Sequence, residues 1–347
     1  MKVAVLAITK NGIRTGRRLL GEYPGWELFA PARLSDGGEA DWFEGPASSK
    51  VGELFKSRDA LVCIFSLGAV IRLVAPHLVD KSTDPAVLAI DDAENFVIST
   101  LSGHAGGANR MAEEVAAKLG ATPVVTTAAD VNKTIAVDMV GRDLGWEIED
   151  SSQVTRVSGC MVNGEPVGVY QDAGSRNWWG SAMPPNVTVY DSIGELASAG
   201  PAAALIISDR ILDTLEMPSV VYRPKSLVVG VGLHGDTDKN TVRRGLEECL
   251  GRFSLSPRSV ARLASLKRQP DPEGLGEYAR EAGIPLEYVD RDKLAEIDVP
   301  NPSEIVAAYE GTASVSEAAA ILVSKGTLVV EKQKFPPGLT VAVARIE

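Results

Sequence analysis

Short apolar runs alternate with longer amphipathic ones along the chain, and that alternation predicts its architecture. Residues 3–8, 60–65, 87–90, 96–99 and 122–125 have strand length and are rich in Val, Ile and Leu. Between them, residues 12–20, 69–75 and 108–119 show helical spacing: Met111, Val115 and Leu119 recur four apart before Gly120 closes the turn. Such alternation predicts an N-terminal α/β domain, residues 1–150, with a largely parallel sheet. Residues 135–144 continue as a predicted helix ended by Gly145.

The pattern changes near residue 150. Val154–Val162 and Val167–Gln171 flank Asn163-Gly164, a dipeptide suited to a type I′ turn, and predict a hairpin. With the apolar run at 204–207, residues 151–223 read as a small α+β middle domain. Pro224 interrupts the pattern just before the strand-like Leu227-Val228-Val229, which marks residues 222–226 as a linker. From there strand-like runs (227–229, 260–266, 286–289, 328–330, 340–345) and helix-like ones (240–250, 272–282) predict a C-terminal α/β domain, residues 226–347.

Composition narrows the function classes. At 347 residues the chain exceeds a typical single core. A formal net charge of −11 speaks against nucleic acid as a partner. It leaves an anionic small molecule open, because exposed charges are screened within about 8–10 Å and a local pocket of N–H groups and cations can still attract carboxylates. Cys63, Cys160 and Cys249 are odd in number and far apart, which excludes a disulfide scaffold and a zinc ribbon; Cys63 lies in an apolar run and reads as core. No run reaches the ~20 apolar residues of a membrane helix, and the apolar start meets Lys10-Asn11-Gly12 too soon for an export signal. A cytoplasmic protein with no membrane partner is expected.

The candidate chemistry concentrates in one segment. Leu101-Ser102-Gly103-His104-Ala105-Gly106-Gly107-Ala108-Asn109 places a hydroxyl, an imidazole and an amide where a predicted strand passes into a predicted helix. The imidazole titrates near neutrality, and helix-start N–H groups, here Gly106, Gly107 and Ala108, can stabilise negative charge. Two more polar stretches sit at neighbouring strand ends, residues 72–85 before one strand and Thr126-Thr127-Ala128-Ala129-Asp130 after another. In an open parallel sheet such ends face one crevice. His104 leads as general acid or base, while Asp84 and Asp130 each suit a base, an orienting partner for His104 or a helix cap. Arg72 and Lys81 suit carboxylate clamps, and Ser102, Gly103, Gly106, Gly107, Asn109, Thr126 and Thr127 complete the predicted binding set. Ser102 as a nucleophile lacks the G-x-S-x-G elbow.

Nucleotide and metal chemistry find less support. Gly230-Val231-Gly232 with Gly235 is a literal G-x-G-x-x-G, but Asp236 and Asp238 then stand where a pyrophosphate would lie, which weakens an oxidoreductase reading. His77, His104 and His234 are too far apart in sequence for a protein-built metal site.

The run from Arg72 through Asp84-Pro85, the 101–109 motif and Thr126-Thr127-Ala128-x-Asp130 together resemble the cobalamin-biosynthesis protein G family. Asn163-Gly164-Glu165-Pro166, Trp178-Trp179, Asn301-Pro302-Ser303-Glu304, Ser314-Val315-Ser316-Glu317 and the close of the chain extend the likeness over nearly its whole length. One departure stands out: Leu233-His234 follow Val231-Gly232 where similar proteins read cysteine and then Arg or Lys, so a thiol at that loop does not carry over. The resemblance implies a cobalt-precorrin-5A hydrolase of anaerobic vitamin B12 synthesis. Water opens the ring-A δ-lactone of an anionic cobalt corrinoid, and the methylated C20 unit leaves as acetaldehyde. It further implies no cofactor, since the substrate carries the cobalt, and neighbouring enzymes of that pathway as further partners. A non-catalytic corrinoid carrier is the competing reading; it would need carboxylate clamps but no titrating His104.

Overall fold

A computed structural model describes all residues except Lys81, Ser82, Ala105 and Glu347, and Ile305 by its backbone alone. The chain divides into two compact units, Met1–Met139 and Val140–Glu347.

The first unit holds a seven-stranded sheet. Its strands are β1 (Val3–Ala7), β2 (Glu27–Pro31), β3 (Asp41–Phe43), β4 (Ala60–Ile64), β5 (Ala86–Ile90), β6 (Phe96–Leu101) and β7 (Thr122–Val124), in the order β3-β2-β1-β4-β5-β6-β7. β1, β4 and β5 are buried at every position because helices cover both faces. Period-two alternation sorts their side chains: Val62, Ile64, Leu88 and Ile90 meet Met111 and Val115 on one face, and Leu61, Cys63, Val87 and Ala89 meet Leu54, Val70 and Val74 on the other.

The first five strands run parallel, whereas β6 runs antiparallel to β5 and β7 follows β6. The reversal is built by Asp91, whose carboxylate accepts the N–H groups of Phe96 (2.6 Å) and Ala93 (3.3 Å) and closes a tight connection. The carboxyl ends of β6 and β7 therefore lie beside the amino end of β5. The sheet is largely parallel, as expected, but this reversal corrects the expectation that the polar stretches share one crevice at the carboxyl ends of parallel strands. The register also slips between Val87 and Leu88, with Thr100 as the extra residue, so that Ser99 faces the helix Ala108–Leu119 while Leu101 joins the opposite layer.

The second unit carries two sheets. In the middle region β8 (Glu147–Ile148), β9 (Val167–Gln171), β10 (Val187–Tyr190), β11 (Ala203–Ile207) and β12 (Ser219–Arg223) are ordered β10-β9-β11-β12-β8, all parallel except β8. The expected hairpin is instead a helix, Val154–Val162, leading into β9. Val154, Val157 and Met161 are its buried positions, a helical spacing, and only Gly164 takes the positive φ that a type I′ turn requires of both central residues. The helix expected at 135–144 is also absent, apart from a single 3₁₀ turn at Arg142–Leu144. Gly141 has φ of +68°, and the Trp146 ring lies where a side chain would stand, 1.9 Å from an ideal Cβ.

In the C-terminal region β13 (Leu227–Leu233), β14 (Val260–Leu266), β15 (Leu286–Val289), β16 (Thr327–Phe335) and β17 (Leu339–Arg345) are ordered β15-β14-β13-β17-β16. β13 is parallel to β14 and antiparallel to β17. Gly230 permits the helix Val315–Ser324 to lie directly on β13, since a Cβ there would sit 1.9 Å from the Ser316 carbonyl oxygen. The G-x-G spacing thus serves helix–strand packing. The start of the next helix, Lys239–Arg252, is occupied by the Asp238 carboxylate, which accepts from Asn240 and Thr241 and is held below the usual carboxylate range, chiefly by Thr241. That leaves no place for a pyrophosphate.

Residues 222–226 join the two sheets inside this unit, and all but the exposed Lys225 are buried. Arg223 forms a two-armed pair with Glu149, and Ser226 with Arg345 converges on the fully buried Asp209 (2.7–2.8 Å). Among the described residues no helix is long and apolar enough to cross a membrane.

Two outcomes follow from this packing. Gly230→Ala should lower stability in urea by roughly 1–3 kcal/mol or more, whereas Gly235→Ala, with open space at its Cβ, should change it by less than about 0.5 kcal/mol. Burial pushes the Cys63 thiol up to about 12 and Cys249 to about 11. Alkylation of the native protein at pH 8 should therefore mark Cys160 well before either, as peptide mapping would show.

Candidate active site

The polar cluster of the first unit is assembled on the Asn109 side chain. Asn109 lies in the first turn of the helix Ala108–Leu119 and is 8% exposed. Its Oδ1 accepts from Ser99 Oγ (2.6 Å), and its Nδ2 donates to Thr127 Oγ1 (3.0 Å) and Asp130 Oδ2 (2.5 Å). Thr127 precedes the short helix Ala128–Val131, which carries Asp130. The same Asp130 oxygen lies 3.6 Å from His104 Nε2, within ion-pair reach and a small side-chain rotation from a hydrogen bond. His104, Asn109, Thr127 and Asp130 are thereby brought together across the ends of β6 and β7.

The glycines of the motif shape the loop. Gly103 leaves room for Asn109, whose Oδ1 would lie 2.5 Å from an added Cβ, and Gly106 folds over Ser102, whose Cβ would lie 2.6 Å away. Gly107, at φ of +81°, opens the helix from the left-handed region. Of the N–H groups expected to meet negative charge, those of Gly107 and Ala108 are engaged within the loop. Gly107 N–H donates to His104 O (3.0 Å), Ala108 to Ser102 O (3.2 Å) and Asn109 to Gly103 O (3.0 Å). A closed loop leaves no oxyanion donor at Gly107 or Ala108.

The other expected residues divide. Ser102 donates to the Asp84 carbonyl (2.9 Å) and so ties the motif to the segment before β5. The Asp84 carboxylate accepts the Val79 N–H (3.0 and 3.2 Å), which makes it a loop brace and leaves Asp130 as the carboxylate beside His104. Thr126 is exposed at the end of β7. Arg72 is exposed on the helix Leu67–Val74, whose Val70 and Val74 pack on the face of the sheet opposite Met111 and Val115, so it is not joined to the cluster. Lys81 lies outside the described residues. Ser99, which fixes the amide of Asn109, was not singled out by sequence; its signal is alternation broken by the bulge at Thr100. In the second unit Leu233 ends β13 buried, with His234 exposed beside it.

Comparison with known proteins accounts for the whole chain. The family described as Cobalamin synthesis G matches through its N-terminal part at residues 49–130 and its C-terminus at 227–344, with the Cobalamin biosynthesis central region at 135–224. The chain is 39% identical to a protein of Priestia megaterium named cobalt-precorrin-5A hydrolase, over 99% of this chain and 94% of that one. It is 30% identical to a protein of the same name from Salmonella typhimurium, over 95% and 93%. A crystal structure described as a cobalamin biosynthesis protein G homolog, from Sulfolobus solfataricus, aligns over 100% of this chain and 97% of that one at 18% identity and a TM-score of 0.40. With all three segments matched in order and two relatives aligned nearly end to end, the chain belongs to the cobalamin synthesis G family.

Proposed function

We infer that this protein is a cobalt-precorrin-5A hydrolase, which uses water to open the ring-A δ-lactone of an anionic cobalt corrinoid and releases the C20 unit as acetaldehyde. The full-length relationship to enzymes of that name carries the reading. The cobalt belongs to the substrate. The same reading puts the reaction in the cytoplasm and makes neighbouring cobalamin-pathway enzymes its partners.

The His104–Asp130 pair supplies chemistry suited to the lactone. Neutral His104 takes a proton from the attacking water as the new C–O bond forms at the lactone carbonyl, and returns it as the ring C–O bond breaks. Asp130 stabilises the imidazolium and orients the ring, and Asn109 fixes Asp130 through its amide. Asp130 is in this sense a positioning residue. A corrinoid carrier has no use for an imidazole set against a carboxylate, and this supports the catalytic reading over it.

His104→Ala should lower acetaldehyde release at saturating substrate by roughly 10²–10⁴ while corrinoid affinity, read from the absorbance spectrum, stays close to wild type. Full turnover in that variant would move the base elsewhere. Asp130→Asn should lower kcat by roughly 10–10² with little change in KM, because the amide keeps the packing and loses the charge. A rise in KM with kcat intact would instead make Asp130 a binding group.

A further inference from the structure

A cavity of about 620 Å³ opens in the second unit at the carboxyl end of β13. There the sheet changes direction, since β13 is parallel to β14 on one side and antiparallel to β17 on the other. In open α/β sheets ligands favour the carboxyl ends of the strands. None of the residues singled out for the first unit belongs to it.

Its lining differs from the rest of the molecule. Arg268, Lys332 and Lys334 face a single carboxylate, Glu310, in a chain of net charge −11. Arg268 is held in place by Leu233 O (2.6 Å) and Glu310 Oε1 (2.7 Å), and Lys332 Nζ donates to Asn301 O. Lys334 is exposed and has no ion-pair partner among the described residues. Between these cations the walls are apolar, from Val306, Phe335 and Leu339, and the ring of Tyr309 stands 80% exposed at the edge. The helix Val315–Ser324 begins in the same wall. Its N-cap Ser314 is 1% exposed, makes no capping bond to the helix, and has a buried hydroxyl without a hydrogen-bond partner. A buried hydroxyl at a helix start is a costly group to leave unmatched, and an anionic oxygen would satisfy it and the orphan N–H groups together.

We propose that this cavity binds the carboxylate-bearing rim of a tetrapyrrole macrocycle, an identification that rests on the inferred activity; the lining by itself specifies an apolar body with several carboxylates. Lys334 and Arg268 meet acid side chains, the helix start and Ser314 hydroxyl meet another, and Tyr309 lies against the macrocycle face. Gly232 keeps the strand end bare, since a Cβ there would lie 2.5 Å from Thr340 Oγ1.

The test uses the full chain and two probes, cobyrinic acid and its neutral heptamethyl ester, titrated by absorbance. The acid should bind at least about tenfold more tightly than the ester. Lys334→Glu and Tyr309→Ala, both at exposed positions, should keep the thermal unfolding midpoint and weaken acid binding roughly tenfold each, and Ser314→Ala should weaken it severalfold. Equal binding of acid and ester, or wild-type affinity in both Lys334→Glu and Tyr309→Ala, overturns the proposal. Acetaldehyde release from cobalt-precorrin-5A by the wild type is measured in parallel. Its absence beside intact, charge-dependent binding would overturn the inferred activity alone, and its presence beside variants of unaltered affinity would overturn the cavity alone.

Discussion

The candidate active site depends on one carboxamide. Asn109 is a mid-sized polar side chain in a position that would ordinarily be apolar, in the first turn of a helix packed on a sheet, and it is tolerated there because both ends of its amide are matched. Ser99 donates to its oxygen; Thr127 and Asp130 take its nitrogen. Those partners come from two separate stretches of chain, β6 and the segment after β7. Loss of the amide would leave the half-buried Ser99 and Thr127 hydroxyls and the Asp130 carboxylate to find new partners, so the alignment of His104 with Asp130 is a property of the sheet edge rather than of the loop alone.

That edge exists because the sheet reverses. Had β6 continued parallel to β5, the loop after it would lie at the far end of the sheet from Asp84, and the Ser102–Asp84 contact could not form. The five residues after β5 are too few for a parallel crossover, and the Asp91 carboxylate gathers the N–H groups that make a reversal stable. Reading three polar stretches at three strand ends as neighbours was sound for Thr127, Asp130 and the 102–109 loop. What joins them is the antiparallel β6 within a largely parallel sheet, not a crevice at the carboxyl ends of parallel strands.

Legibility elsewhere followed how fully a segment is buried. β1, β4 and β5 have no polar position, and their runs can hardly be read otherwise. β2 escaped because Pro24-Gly25 precedes it and Pro31 ends it, β3 because it has three residues between Gly37-Gly38 and Gly45-Pro46, and the helix Ala47–Ser57 because it starts from Pro46 with Ser48, Ser49 and Lys50 in its first turns. The Asn163-Gly164 dipeptide points to a hairpin, while the buried positions of Val154–Val162 follow a helical period. The cavity beside Gly232 was illegible for a different reason. Its cations come from β14, β16 and their flanks, which only the sheet order brings together.

The pairing around Asp209 bears on how this chain can be divided. The family's central and C-terminal segments abut between residues 224 and 227, yet that stretch is buried apart from Lys225, and Asp209 from one side accepts from Ser226 at the junction and is neutralised by Arg345 from the other. Removing one partner of a buried ion pair costs roughly 3–5 kcal/mol. A gene cut at that sequence boundary would separate a carboxylate from the guanidinium at the far end of the chain. Separating the two segments would thus break a charge pairing as well as the backbone.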